Sequence, residues 1–377
     1  MSLSEERKNK YLYNRRNKVD NILNGIPLFY TFPKLGSVIS SIPKGYPILW
    51  TGNSGVGKTQ SWIGIFLYSI YKLKKDHPEL KLKVKLIIAL LEDTKEMLID
   101  RLYSMFLYDM YQIQADSQEL LSLKTNPLSE DIIEKLSSIQ QEIDFILEDC
   151  EIVDSIYNPT GLYKWARTIS SKYGTHHNKK MIFTNSDGTQ LEQEVYSHFE
   201  LYDENMQFLM VVDNLNNLAT EARGGSLLTE RETINMWTRN YCRLQITKHW
   251  GWSVINIIQQ ASDSEQAQFN NRGELVVEKV KPSLAGLGNS KEAQRDHFMV
   301  IGIFAPNRYG IANYEGYDIK ILKDNYRSLI ILKSNISTTN VEIPYYFNGS
   351  CSTMRELPKP DEKEEMKLVY DYCKKSK

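Results

Sequence analysis

The stretch YPILWTGNSGVGKTQSWIGIFLYSIYKL, residues 46–73, limits the possible folds of this chain more than any other. A short apolar run rich in β-formers leads into a glycine-rich loop, and the loop opens a helical pattern. Gly52-x-x-x-x-Gly57-Lys58-Thr59 is a complete phosphate-loop (Walker A) pattern, with the preceding strand and following helix that its chemistry requires. The glycines let successive backbone N–H groups turn inward around phosphate oxygens. The helix N-terminus adds partial positive charge. Gly52, Asn53, Ser54, Gly55, Val56, Gly57, Lys58, Thr59 and Gln60 are therefore the expected cradle of a nucleoside triphosphate. Lys58 is expected to reach the β- and γ-phosphates, and Thr59 to hold Mg²⁺.

The rest of the chain alternates in the same manner. VKLIIALL (84–91), CEIVDS (150–155), FLMVVD (208–213) and WSVINIIQQ (252–260) read as buried strands, with helical patterns between them. Closely spaced strand-like runs follow: HFMVIGIFA, YDIKILKD, SLIILKSN and VEIPYYF. Alternation followed by a meander predicts an α/β fold with a largely parallel central sheet flanked by helices and antiparallel strands added on the C-terminal side. The polar stretch 174–207, with NSDG between two β-rich runs, reads as a hairpin insertion. A second insertion is expected near 105–147. Residues 1–24, carrying Arg7, Lys8, Lys10, Arg15, Arg16 and Lys18, read as a basic helix or arm. Residues 25–350 are expected to form the ATPase domain and 351–377 a charged tail.

Two carboxylate positions complete the expected site. Asp213 ends an apolar strand downstream of the phosphate loop, a Walker B pattern suited to binding Mg²⁺ through water. Glu92 follows LIIALL and falls at a strand's C-terminal end, where ligands of open parallel sheets bind. A carboxylate there can orient an attacking water, and Asp93 is its adjacent competitor.

Net charge near zero (−1) neither favours nor excludes a polyanionic partner. The four cysteines form no C-x-x-C pair, so zinc and redox motifs are not expected among them. His176 and His177 lie in the polar insertion with no cysteine or carboxylate at metal spacing in the sequence, and read as surface residues that are not expected to bind a metal. No apolar stretch is long enough for a membrane span. The N-terminus lacks the apolar core of a secretory signal. A cytoplasmic protein is expected.

These motifs together resemble the RecA-like ATPase domain of DnaB-type hexameric replicative helicases, over roughly residues 24–345. LLEDTKEMLIDRL is similar to that family's segment at the end of the second strand, which places Glu92 at the catalytic glutamate position. WSVINIIQQAS resembles the strand ending in a sensor glutamine, Gln260 or, one register away, Gln259. IKILKDNYRS resembles the strand carrying a lysine and an arginine finger, here Lys323 and Arg327, set four apart rather than two. Where the family has a separate N-terminal helical domain, only the short basic helix is expected here; small single-domain helicases of this kind occur in phage replication modules, which would place a phage-encoded chain in the host cytoplasm. The resemblance implies an ATP-hydrolysing, Mg²⁺-dependent DNA helicase that forms a homo-oligomeric, hexameric ring on single-stranded DNA, with a primase or loader as a further partner. It also implies that two loops face the DNA: one with Arg223, another with Arg272, Lys279 and Lys281. A RecA/RadA-like recombination ATPase forming filaments on DNA, and a regulatory or scaffolding ATPase without motor activity, are the alternatives.

Overall fold

A computed structural model describes residues 2–16, 25–27, 29–121, 128–184, 188–290 and 292–375. The end of the expected N-terminal arm (17–24), Pro127 within the expected insertion near 105–147, and Asn185–Asp187 at the expected hairpin turn lie outside these.

Nine strands form the central sheet: β1 (Pro47–Gly52), β2 (Val84–Leu90), β3 (Cys150–Val153), β4 (Gln207–Asp213), β5 (Ser253–Gln259), β6 (Met299–Phe304), β7 (Tyr326–Ser334), β8 (Glu342–Asn348) and β9 (Thr353–Glu356). Their spatial order is β9-β8-β7-β6-β1-β5-β4-β2-β3. The strands from β3 to β6 in that order are parallel, and β7, β8 and β9 add antiparallel to β6 and to each other. This is the expected largely parallel α/β sheet with antiparallel strands on the C-terminal side. The expected boundary at 350 falls between β8 and β9 of this one sheet. Farther on, Lys363–Lys375 is a helix that buries Met366 and Cys373.

The strands are apolar on both faces because both faces are covered. On one side, Lys58–Trp62 and its continuations Ile63–Leu67 and Tyr68–Asp76 pack with Lys95–Tyr111 and Glu130–Leu147 around Trp50, Trp62, Phe66 and Phe106. On the other, Pro159–Tyr173 and Glu230–Asn235, which runs on as Met236–His249, enclose Trp237, Trp252, Met210 and Ile258. Local chemistry sets the helix starts. Thr94 and Ser129 accept the N–H of Met97 and Ile132, and Thr229 with Glu232 closes a reciprocal capping box.

The expected insertion near 174 is a long hairpin, Gly174–Thr184 paired antiparallel with Gln190–Leu201. At the N-terminus, Leu3–Arg16 is helical and its described side chains are exposed. Among the described residues, no helix is long and apolar enough to cross a membrane.

Sheet order positions the site. β1 and β2 are consecutive in the chain but separated in space by β5 and β4. Strand order therefore reverses at the end of β1, and a crevice opens there.

Candidate active site

Parallel pairing brings the ends of four strands to one level. Gln259 is opposite Gly52, and Leu90 is opposite Asp213. The loop after β1, Glu92 and Asp93 after β2, Asp213 closing β4 and Gln259 closing β5 therefore converge on a cleft of about 170 Å³. Two roomier hollows, about 420 and 460 Å³, flank β9 and contain no phosphate-loop residue.

The loop turns through Gly55 (φ +66°) and Gly57 (φ +90°), conformations that only glycine adopts readily. At Gly57 a Cβ would also lie 2.6 Å from the Phe347 ring. Lys58 is nearly buried. Its Nζ donates to the carbonyls of Gly52 (3.3 Å) and Asn53 (3.0 Å), which holds the ammonium across the loop mouth.

Asp213 is the chemical centre of the cleft. Thr59 Oγ1 donates to Asp213 Oδ2 at 2.7 Å, and Trp62 Nε1 donates to the same oxygen at 2.8 Å. Thr59 and Trp62 are three apart on one helix, so both face the strand end. Burial pushes the Asp213 carboxyl up to about 6, against the pull of these two hydrogen bonds and with the added repulsion of Asp93 and Glu92. A hydroxyl beside a buried, destabilised carboxylate is an all-oxygen donor pair, and a hard divalent cation would relieve its charge. The residues present thus fit Mg²⁺.

The two competing acids are placed differently. Asp93 is held by Arg101, Oδ2 to Nη2 at 2.9 Å, with both side chains largely buried. Glu92 is exposed and accepts one hydrogen bond, from Asn214 Nδ2 at 3.3 Å. Of the pair, Glu92 is the one open to water.

Three sequence expectations are met differently. Gln260 does not line the cleft. It is buried, its Nε2 donates to Thr51 Oγ1 at 3.0 Å, and its Oε1 accepts from the Ser283 N–H. Gln259 occupies the cleft wall instead, because alternation along β5 sends neighbours to opposite faces. Arg327 is 1% exposed and is not presented to a neighbouring molecule. Its Nε donates to the Val56 carbonyl (3.0 Å), its Nη1 to the carbonyls of Asp324 (2.6 Å) and Tyr326 (2.9 Å), and its Nη2 to Asp324 Oδ1 (3.1 Å). The guanidinium lies 4.8 Å from the centroid of Phe347, the ring packed under Gly57. Arg327 and Phe347 thus brace the phosphate loop from below, within the same chain. Finally, Lys281 is drawn inward, paired with Glu342 (3.1 Å) and Glu278 (2.8 Å) and lying 5.1 Å from the Tyr314 centroid.

The remaining basic positions are open. Arg223 sits on a small ribbon, Ala222–Arg223 with Ser226–Leu227, whose tip is Gly224–Gly225. Arg272 is exposed on the second expected loop and Lys279 on the short helix Val277–Val280 that follows it; Lys323 is exposed at the start of the turn Lys323–Asn325, and Arg308 is exposed beside the phosphate loop. Arg308 Nη1 donates to the Ser54 carbonyl. Arg308, with Lys323, was the next candidate after Arg327 for a finger; Trp62, Asn214 and Arg101 had no assigned role from sequence, and for Trp62 the helical spacing from Thr59 was the available signal.

The architecture matches solved structures. One, described as an ATPase domain, superposes with a TM-score of 0.63 at 16% identity, covering 95% of this chain and 100% of that one. A structure described as a DnaB-like replicative helicase and its interactions with primase matches with a TM-score of 0.57 at 16% identity, covering 88% of this chain and 64% of that chain. No protein-family model matches the sequence, and no curated protein is similar to it at the sequence level. The chain has a RecA-like P-loop fold, and its likeness to DnaB-type ATPase domains is one of structure.

Proposed function

We propose that this chain is an ATP-hydrolysing motor on single-stranded DNA, a DnaB-like helicase acting as a ring of identical subunits. The observation that carries the reading is the Thr59–Asp213 hydrogen bond, 2.7 Å, beside Lys58 at the mouth of the phosphate loop. It sets a metal-binding oxygen pair next to a phosphate cradle, with an open carboxylate, Glu92, on the same rim. The structural likeness to a replicative helicase supports the choice of motor.

In this reading the Gly52–Gln60 loop binds the triphosphate and Lys58 stabilises charge on the β- and γ-phosphates. Thr59 and, through water, Asp213 hold Mg²⁺, which supplies positive charge to the phosphate oxygens. Glu92 orients the attacking water, with Asn214 fixing its carboxylate; Asp93, neutralised by Arg101, does not. Gln259 replaces Gln260 as the residue that senses the γ-phosphate. Arg327 keeps the loop in shape rather than acting in trans. An arginine or lysine reaching a neighbour's nucleotide would come from an exposed position, for which Lys323 and Arg308 are the candidates. Arg223, Arg272 and Lys279 contact DNA phosphates, an attraction that needs no sequence. A primase is a partner to test, and the cytoplasm is the expected location.

A forked duplex with a labelled strand tests this directly. ATP and Mg²⁺ should drive strand displacement by the wild type and not by Lys58→Ala. DNA-stimulated hydrolysis without displacement, on open filaments, would replace the helicase reading with a recombination ATPase. Hydrolysis indifferent to DNA would indicate a regulatory ATPase.

A further inference from the structure

The hairpin Gly174–Thr184/Gln190–Leu201 contains chemistry that the nucleotide site does not use. Its base is anchored to the body. The His176 ring packs between Phe199 (4.7 Å) and Trp250 (5.2 Å) and bonds Ser170 Oγ at 2.7 Å. Tyr196 stacks on His249 at 4.9 Å. Beyond this base the strands are exposed, and the outer part carries the apolar side chains Met181, Ile182, Phe183 and Leu191 in solvent. A two-stranded hairpin is marginal in water without packing on one face.

At the junction between the anchored base and the exposed outer part, His177 pairs directly with His198, and Glu200 is opposite Thr175. Residues 198 and 200 share a strand face, and 177 faces them from across the ladder. The two imidazole rings stack, 4.6 Å between centroids and 12° between planes. His177 Nε2 is 3.0 Å from Glu200 Oε2. One ligand atom from each of the three side chains lies within 4.8 Å of the other two. In a tetrahedral zinc site, bonds of about 2.0–2.1 Å place neighbouring ligand atoms about 3.3 Å apart. One edge of such a site is therefore almost formed; because the stacked imidazole planes are nearly parallel, one ring must turn out of the stack for its nitrogen lone pair to meet the same ion. Ser197 Oγ, 3.1 Å from His198 Nδ1, orients that ring.

From this geometry we infer that His177, His198 and Glu200 bind a divalent transition-metal cation of the Zn²⁺ type, clipping the two strands together where the hairpin leaves the body. Two imidazoles and a carboxylate select such an ion over Mg²⁺, which prefers an all-oxygen shell. A fourth position remains for water or for a group from a partner. Spacing along the sequence cannot show this set, because its members come from facing strands.

The test uses the full chain stripped of metal and kept in excess Mg²⁺, with Zn²⁺ as the probe. Competition against a chromophoric chelator should show one tight Zn²⁺ per chain. Co²⁺ should give the visible absorption of a tetrahedral site. His177→Ala and His198→Ala should each weaken Zn²⁺ binding by at least ~10-fold, Glu200→Gln by less, and His249→Ala not at all. His198→Cys, which retains a zinc ligand, should keep the binding and so separate loss of a ligand from loss of the hairpin. Amide exchange across 174–184 and 190–201 should slow on adding Zn²⁺ to wild type and not to His198→Ala. Equal binding by wild type and His198→Ala, or absence of tight binding in the wild type, overturns the inference, and neither result bears on the ATPase reading.

Discussion

Asp213→Asn should make the nucleotide-free protein more stable while removing its activity. Burial raises the Asp213 carboxyl to about 6, against about 3.9 in an unfolded chain. Two pH units correspond to roughly 3 kcal/mol by which folding disfavours the charged form. The sign follows from proton binding. Between about pH 4 and 6 the folded state holds a proton that the unfolded chain has released, so this group's stabilising contribution is complete below about 4 and is lost as pH rises through 6. Asparagine has the carboxylate's shape, and its oxygen still accepts from Thr59 and Trp62. Its amide group must find an acceptor, at a cost of about 1–3 kcal/mol if it does not. The net gain at pH 8 is then roughly 0–2 kcal/mol, and near 2 if the amide is mostly satisfied. Chemical unfolding of both proteins in excess chelator at pH 8, 7, 6 and 5 measures it. The variant's advantage should be greatest at pH 7–8 and decline below pH 6. Adding Mg²⁺ and ATP should reverse the order, because only the wild type retains the charged metal ligand. A wild type more stable than Asp213→Asn at pH 8 in chelator would refute the claim that the cleft contains a destabilised charge.

Glu92→Gln should bind ATP and Mg²⁺ normally yet turn over about 10²–10⁴-fold more slowly, measured by single-turnover hydrolysis; a larger loss in Asp93→Asn would transfer the role to Asp93. Arg327→Ala should inactivate its own subunit by releasing Val56, so mixing it with Lys58→Ala should restore nothing. Lys323→Ala mixed with Lys58→Ala should regain part of the hydrolysis if Lys323 acts across an interface, and recovery in the Arg327 mixture would restore the trans assignment. The Arg223→Ala, Arg272→Ala, Lys279→Ala triple variant should lower the salt slope of single-strand binding by roughly 0.7 per lost phosphate contact. Lys281→Ala should instead reduce stability and leave that slope unchanged.

Much of this site was legible because its chemistry is local. A strand, a glycine-rich turn and a helix start occur consecutively in the chain, and the Lys58–Thr59 pair is part of that unit. Asp213 and Glu92 were legible because apolar runs end at them. What depended on pairing was not. Gln259 and Gln260 differ by one position in a period of two, and flanking residues do not say which faces the cleft. Arg327 lies in a segment that resembles one offering an arginine to a neighbour, although it is four rather than two residues from its lysine; β7 and β8 fold back beside β6 and deliver it, with Phe347, beneath Gly57. Lys281 is in a polar loop but reaches Glu342, which is distant in sequence. The order β1-β5-β4-β2, which creates the crevice, is likewise set by packing over the whole chain.

The central claim is that the Gly52–Gln60 cleft hydrolyses ATP in response to single-stranded DNA. The most direct measurement is the steady-state rate of phosphate release, with Mg²⁺, for wild type and Lys58→Ala, each with and without a single-stranded oligonucleotide. Wild-type hydrolysis should rise several-fold with DNA, and Lys58→Ala should show none above background under either condition. Wild-type turnover by Lys58→Ala, or a wild-type rate unchanged by DNA, would contradict the claim.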